Sequence, residues 1–123
     1  MSLWEWNDVE LEIDMDDVDF LEKYENAFAN MEVKENELMK TGKKSEIARE
    51  YCGMFYRLFN EIFGPGTGEK LLGEKMNVRN CEECYTSFIA ECQKNVMESN
   101  KRKNAMMNKF RPNRAQRRAA GKK

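Results

Sequence analysis

Histidine is absent from these 123 residues. That removes the commonest general base and the commonest metal ligand together, and it weakens most enzyme readings from the outset. Proline is scarce, and Pro65 and Pro112 each interrupt a helical pattern. No run of 18 apolar residues exists, so no membrane-spanning helix is expected. Residues 1–14 are acidic and lack a basic segment followed by an apolar one, so no secretory signal is expected either. The four cysteines are therefore read as thiols in a reducing cytoplasm.

Acidic residues are also missing from one end. The last is Glu98. Ten of the 21 Lys and Arg lie beyond it, leaving eleven cations against all 22 anions in residues 1–98. A net charge of −1 thus hides a body of −11 and a tail of +10. Such asymmetry speaks of partners, not of fold.

Apolar spacing predicts a mainly α chain: a three-helix domain with a short N-terminal β-hairpin or strand and a basic C-terminal tail. Val9, Leu11, Ile13 and Met15 alternate with acids, and Trp4 and Trp6 keep the same period. Asn7-Asp8 between them suits a tight turn, so a hairpin is predicted over 3–15. A lone hairpin is unstable in water and must lie on the helices or pair with another copy.

Helix 1 is predicted over about 17–40, with Asp19 and Glu22 at capping-box spacing and Asp16 and Asp17 as other starts. Phe20, Tyr24, Ala27, Phe28 and Met31 form its stripe, and Thr41-Gly42 ends it. Helix 2 is predicted over 45–63, capped by Ser45, with a wide apolar face from Ile47 to Phe63. A glycine-rich stretch follows, in which Thr67 caps one short turn carrying Leu71 and Leu72. Helix 3 is predicted over about 80–105, opened by Asn80 with Glu83. Residues 1–110 make one acidic helical domain, and 111–123 a basic tail, flexible or a short helix.

The sequence offers no catalytic, cofactor-binding or metal-binding set. Gly64 to Leu71 resembles a phosphate-binding loop, but Glu69 and Leu71 stand where Gly and Ser or Thr are needed. Cys81 and Cys84 have zinc-knuckle spacing, yet Cys81, Cys84 and Cys92 share a helix face with Phe88 and Ile89, and Cys52 lies on the apolar face of helix 2. Four buried thiols acting as small hydrophobes are the expectation. Asp14, Asp16, Asp17 and Glu83 mark helix starts, and Glu82 has no histidine to work with. The tail lacks interleaved aromatics for base stacking and hangs on an acidic body, so a protein partner is favoured over nucleic acid. Partner contacts are assigned to Arg111, Arg114, Arg117, Arg118, Lys122 and Lys123, with Met54 and Met76. Met39, Met54, Met76, Met106 and Met107 are the methionines least expected to be buried.

Three segments carry a family resemblance: the strand and acidic helix start (9–13, then 20–25), the block Phe59-Asn-Glu-Ile-Phe-Gly-Pro-Gly-Thr-Gly-Glu-Lys-Leu-Leu-Gly73, and the tail Asn113-Arg-Ala-Gln-Arg-Arg-Ala-Ala120. The chain resembles small tail assembly chaperones of phages and prophages of Gram-positive bacteria, encoded just before the tape-measure gene. The resemblance implies a non-enzymatic, mostly helical protein acting in the cytoplasm of the bacterial host. There it would coat the tape-measure protein, or another tail protein, without a cofactor, and stay out of the finished virion. It further implies a longer frameshifted form, with Gly121-Lys122-Lys123 as a place where a slippery codon run fits. A nucleotide sequence with no slippery heptamer and no overlapping frame would sink that expectation. Self-association is a further expectation, and a nucleic-acid-binding or other small phage-encoded module acting through the basic tail is the alternative.

Overall fold

The computed structural model describes residues 2–38 and 40–110, excluding the side chains of Lys109 and Phe110. Two strands, β1 (Ser2–Trp6) and β2 (Val9–Ile13), pair antiparallel with Trp4 opposite Leu11 and Trp6 opposite Val9. Asn7 (φ 51°) and Asp8 (φ 61°) both take the left-handed conformation that a two-residue hairpin turn requires. The predicted hairpin is therefore present, and it lies on the helices.

Among the described residues four helices follow, one more than the spacing predicts there. In α1 (Val18–Glu37) the cap is Asp17, whose carboxylate accepts from the Asp19 N–H, so Asp19 sits inside the first turn and is not the cap. The helix stops at Glu37 rather than 40, with the Leu38 N–H bonded to the Glu35 carbonyl. In α2 (Lys44–Phe63) the Lys43 carbonyl accepts from both Glu46 and Ile47. That displaces the expected cap Ser45 into the helix. Gly64, at φ 115°, ends α2 as expected. The short turn at Thr67 is a full helix, α3 (Thr67–Leu72), entered through left-handed Gly66, so Thr67 is its first residue and not its cap.

The last helix, α4 (Val78–Phe110), begins two residues before the predicted start and runs five past the predicted end. Asn77, not Asn80, caps it. The Asn77 side chain accepts from the Asn80 N–H at 3.0 Å, and its carbonyl accepts from Cys81. Asn80 instead donates to the Leu72 carbonyl and ties α4 to the end of α3. No helix among the described residues is long and apolar enough to cross a membrane.

The core gathers around aromatic rings. Phe88 of α4 lies 5.2 Å from Trp4, 5.4 Å from Phe59 and 5.8 Å from Phe63 between ring centroids. One ring thus joins the hairpin, α2 and α4, and Tyr24 of α1 completes the set. α2 is the central helix, with α1 on one side and α3 and α4 on another. That position buries more of it than one stripe. Met54, expected at the surface, is 4% exposed and packs toward Ala27 and Leu58.

Polar bonds fix the hairpin to α4. The Trp4 indole donates to Ser87 Oγ at 3.0 Å. Buried Asn95 accepts from the Met15 N–H at 2.8 Å and donates to Ser2 Oγ and the Ile13 carbonyl. Asn95→Ala strands the Met15 N–H and is expected to cost about 2 kcal/mol. Urea unfolding measures it, and an unchanged midpoint would remove Asn95 as an anchor. One turn on, Ser99 donates to Asp16 at 2.6 Å and Arg102 pairs with the same carboxylate. These two bonds hold the Asp16 carboxyl below its ordinary range.

Candidate functional site

The glycine-rich loop is a packing device. Tyr56 donates from its hydroxyl to the Gly73 carbonyl at 2.6 Å, and Asn60 accepts from the Gly68 N–H at 2.7 Å. The amides of Thr67, Lys70 and Gly73 bond to Gly64, Gly66 and Glu69. Four N–H groups of the loop, those of Thr67, Gly68, Lys70 and Gly73, are thus already engaged within the protein.

The cysteines pack as apolar residues. All four are buried and free. Cys52 and Cys81 share a thiol hydrogen bond, Cys84 lies beside Cys81, and Cys92 sits further along α4 near Tyr24. They do not converge on one point, because Cys92 is two helical turns beyond Cys84. Among the described residues no three Cys, Asp or Glu side chains are placed to hold a metal ion. Burial pushes the thiols of Cys81, Cys84 and Cys92 up to about 12, far from the thiolate that nucleophilic chemistry needs.

An open cleft of about 460 Å³ lies where α1, α2 and α4 meet. Met31 and Glu35 come from α1, Tyr51, Met54 and Phe55 from α2, and Glu82, Tyr85 and Thr86 from α4. Its wall is a chain of rings. Tyr51 stands edge-on to Phe55 at 5.1 Å, Phe55 lies 5.3 Å from Tyr85, and Tyr85 lies 6.2 Å from Phe28. The Tyr51 hydroxyl donates to Glu82 Oε2 at 2.8 Å. Burial first, then that bond, pushes the phenol up to about 12. Burial and Glu35 raise Tyr85 too. Both phenols therefore stay protonated at neutral pH, and Tyr51 donates to Glu82.

Among the described residues no cation lines the cleft, while Glu35 comes from α1 and Glu82 from α4. The arrangement suits apolar side chains that arrive with positive charge beside them. Spacing in sequence did not reveal it, because its residues come from three helices. Two signals were present. Tyr51 and Tyr85 both lie in apolar helix stripes yet carry a polar tip that needs a partner. Glu82, considered above only beside Glu83, is that partner for Tyr51.

Of the predicted contact residues, Met76 is exposed and lies outside the cleft, while Met54 reaches the cleft only from its buried base. Met106 and Met107 are exposed as expected, and Met39 lies outside the described residues. Arg111, Arg114, Arg117, Arg118, Lys122 and Lys123 also lie outside them.

No curated protein and no solved structure matches the chain significantly. A family model does match, over residues 7–121, so nearly the whole chain is included. On that match the chain belongs to the family described as "Family of unknown function (DUF6673)".

Proposed function

We propose that this protein is a non-enzymatic phage tail assembly chaperone that holds the tape-measure protein in the cytoplasm of the bacterial host. One observation carries the reading: the cleft is lined, among the described residues, by rings, methionine and the carboxylates of Glu35 and Glu82, with no cation. A tape measure is a long helical chain with apolar surface to hide before the tube forms around it. Rings supply adhesive area, and methionine adapts to many sequences. A helix whose apolar face is flanked by Lys or Arg fits this cleft in the helix-in-groove manner. The resemblance of the 59–73 block and the tail supplies the identity of the client.

Co-expression tests it. The very long, helix-rich product of the neighbouring reading frame should co-purify with the full chain. Thr86→Arg and Glu82→Lys, both at exposed positions, should lower capture about tenfold. Failure of the wild-type chain to co-purify with that product would remove the proposal. Binding of DNA that collapses as salt rises would instead support the nucleic-acid alternative.

A further inference from the structure

The inward face of α4 does not end where the body ends. Cys81, Phe88, Cys92 and Ser99 are buried along one side of the helix. Met106 continues that side two turns later, with Met107 next to it. Yet every residue from Asn100 to Asn108 is exposed, Met106 at 58% and Met107 at 48%. Lys103 lies about one turn before the pair on the same side, and Arg102 is engaged with Asp16. The helix thus presents two apolar side chains beside a cation, and nothing among the described residues covers them.

The cleft presents two carboxylates, Glu35 and Glu82, beside the part-exposed side chains of Met31, Tyr51 and Tyr85. Its own α4 end cannot fill it. Thr86 lines the cleft on the same helix, and a helix rises about 1.5 Å per residue, which puts Met106 about 30 Å away. A second copy has no such restriction. We propose that the exposed end of α4, led by Met106 and Met107, docks into the cleft of a second copy, with Lys103 toward Glu35 and Glu82. Each copy carries one of each surface, so the contact closes at two where the exchange is reciprocal about a two-fold axis and runs on as a chain where it is not. It rests on the cleft being a helix-binding site but not on which client fills it. Client and second copy would compete for the same wall.

Two full-length variants at exposed positions test this by sedimentation velocity over a concentration series. Met106→Asp with Met107→Asp spoils the helix end, and Glu35→Lys with Glu82→Lys spoils the cleft. The wild-type mass should rise with concentration, and each variant should weaken that association about tenfold or more. Mixed in equal amounts, the two variants should form a one-to-one pair, because one keeps the cleft and the other keeps the helix end. Lys103→Glu should pair with the lysine-cleft variant better than with the wild-type cleft. A monomeric wild type, a mixture that stays monomeric, or undiminished association of either variant would overturn the proposal. Self-association without client capture would instead overturn only the client's identity.

Discussion

Phe88→Ala should cost about 4 kcal/mol, the range measured for large-to-small changes at aromatic core sites. Phe88 is fully buried, and its ring touches Trp4, Phe59, Phe63 and Tyr24. Those four belong to the hairpin, α2 and α1. Their backbones are held by separate elements, so the cavity cannot close by a shift of one side chain. A domain of this size has roughly 5–15 kcal/mol to lose. The thermal midpoint should fall by roughly 15 °C or more. Phe88→Leu, which refills most of the space, should recover over half of the loss. Equal losses for the two variants would show that ring geometry, not volume, is what this position supplies.

Gly68→Ala is the second large effect, expected at about 3 kcal/mol. A Cβ at Gly68 would lie 2.5 Å from the Tyr56 carbonyl oxygen and 2.9 Å from the Tyr56 Cα. Both are backbone atoms inside α2 and cannot swing aside. α3 would have to lift, stretching the bonds of Asn60 to Gly68 and of Tyr56 to Gly73. The same substitution at Gly53 is the control. Nothing lies within 4 Å of a Cβ there, and the position is mid-helix. Gly53→Ala should therefore stabilise by about 0.5–1 kcal/mol. Thermal unfolding of the pair should show opposite signs, and two like signs would contradict the close approach of α3 to α2.

The same contact explains part of what the sequence left unread. Four glycines cluster after α2, and their pattern resembles a ligand loop until Tyr56 and Asn60 are seen holding it. Glycine needed for closeness and glycine needed for a ligand look alike in one dimension. The hairpin was legible because its alternation and Asn7-Asp8 turn are local signals. The end of α2 was legible because Gly64 follows the last apolar residue. The helix starts were less so. Asn77 and Asn80 stand three apart and both suit a cap, and only packing decides that Asn80 turns to Leu72 instead. Met54 was misplaced because a single apolar stripe was expected on α2, whereas that helix is covered from two sides. The cleft was invisible for a related reason. Glu35, Tyr51 and Glu82 meet only after three helices have packed, and their separations follow no motif.

The attachment of the hairpin to α4 has a consequence for how the chain is made. Trp4 leaves the ribosome 83 positions before Ser87, its hydrogen-bond partner. Asn95, which holds Ser2, is 93 positions later. At ordinary elongation rates the first strand waits roughly 4–17 s for Ser87. During that interval α1 and α2 can already pair, because Ala27 and Leu58 are both present. Trp4, Phe59 and Phe63 meanwhile form an open aromatic patch with no Phe88 to close it. Chain closure is thus tied to the late emergence of α4, and long-range contacts of this kind slow folding. The nascent protein passes through a stage in which its own apolar surface needs shelter.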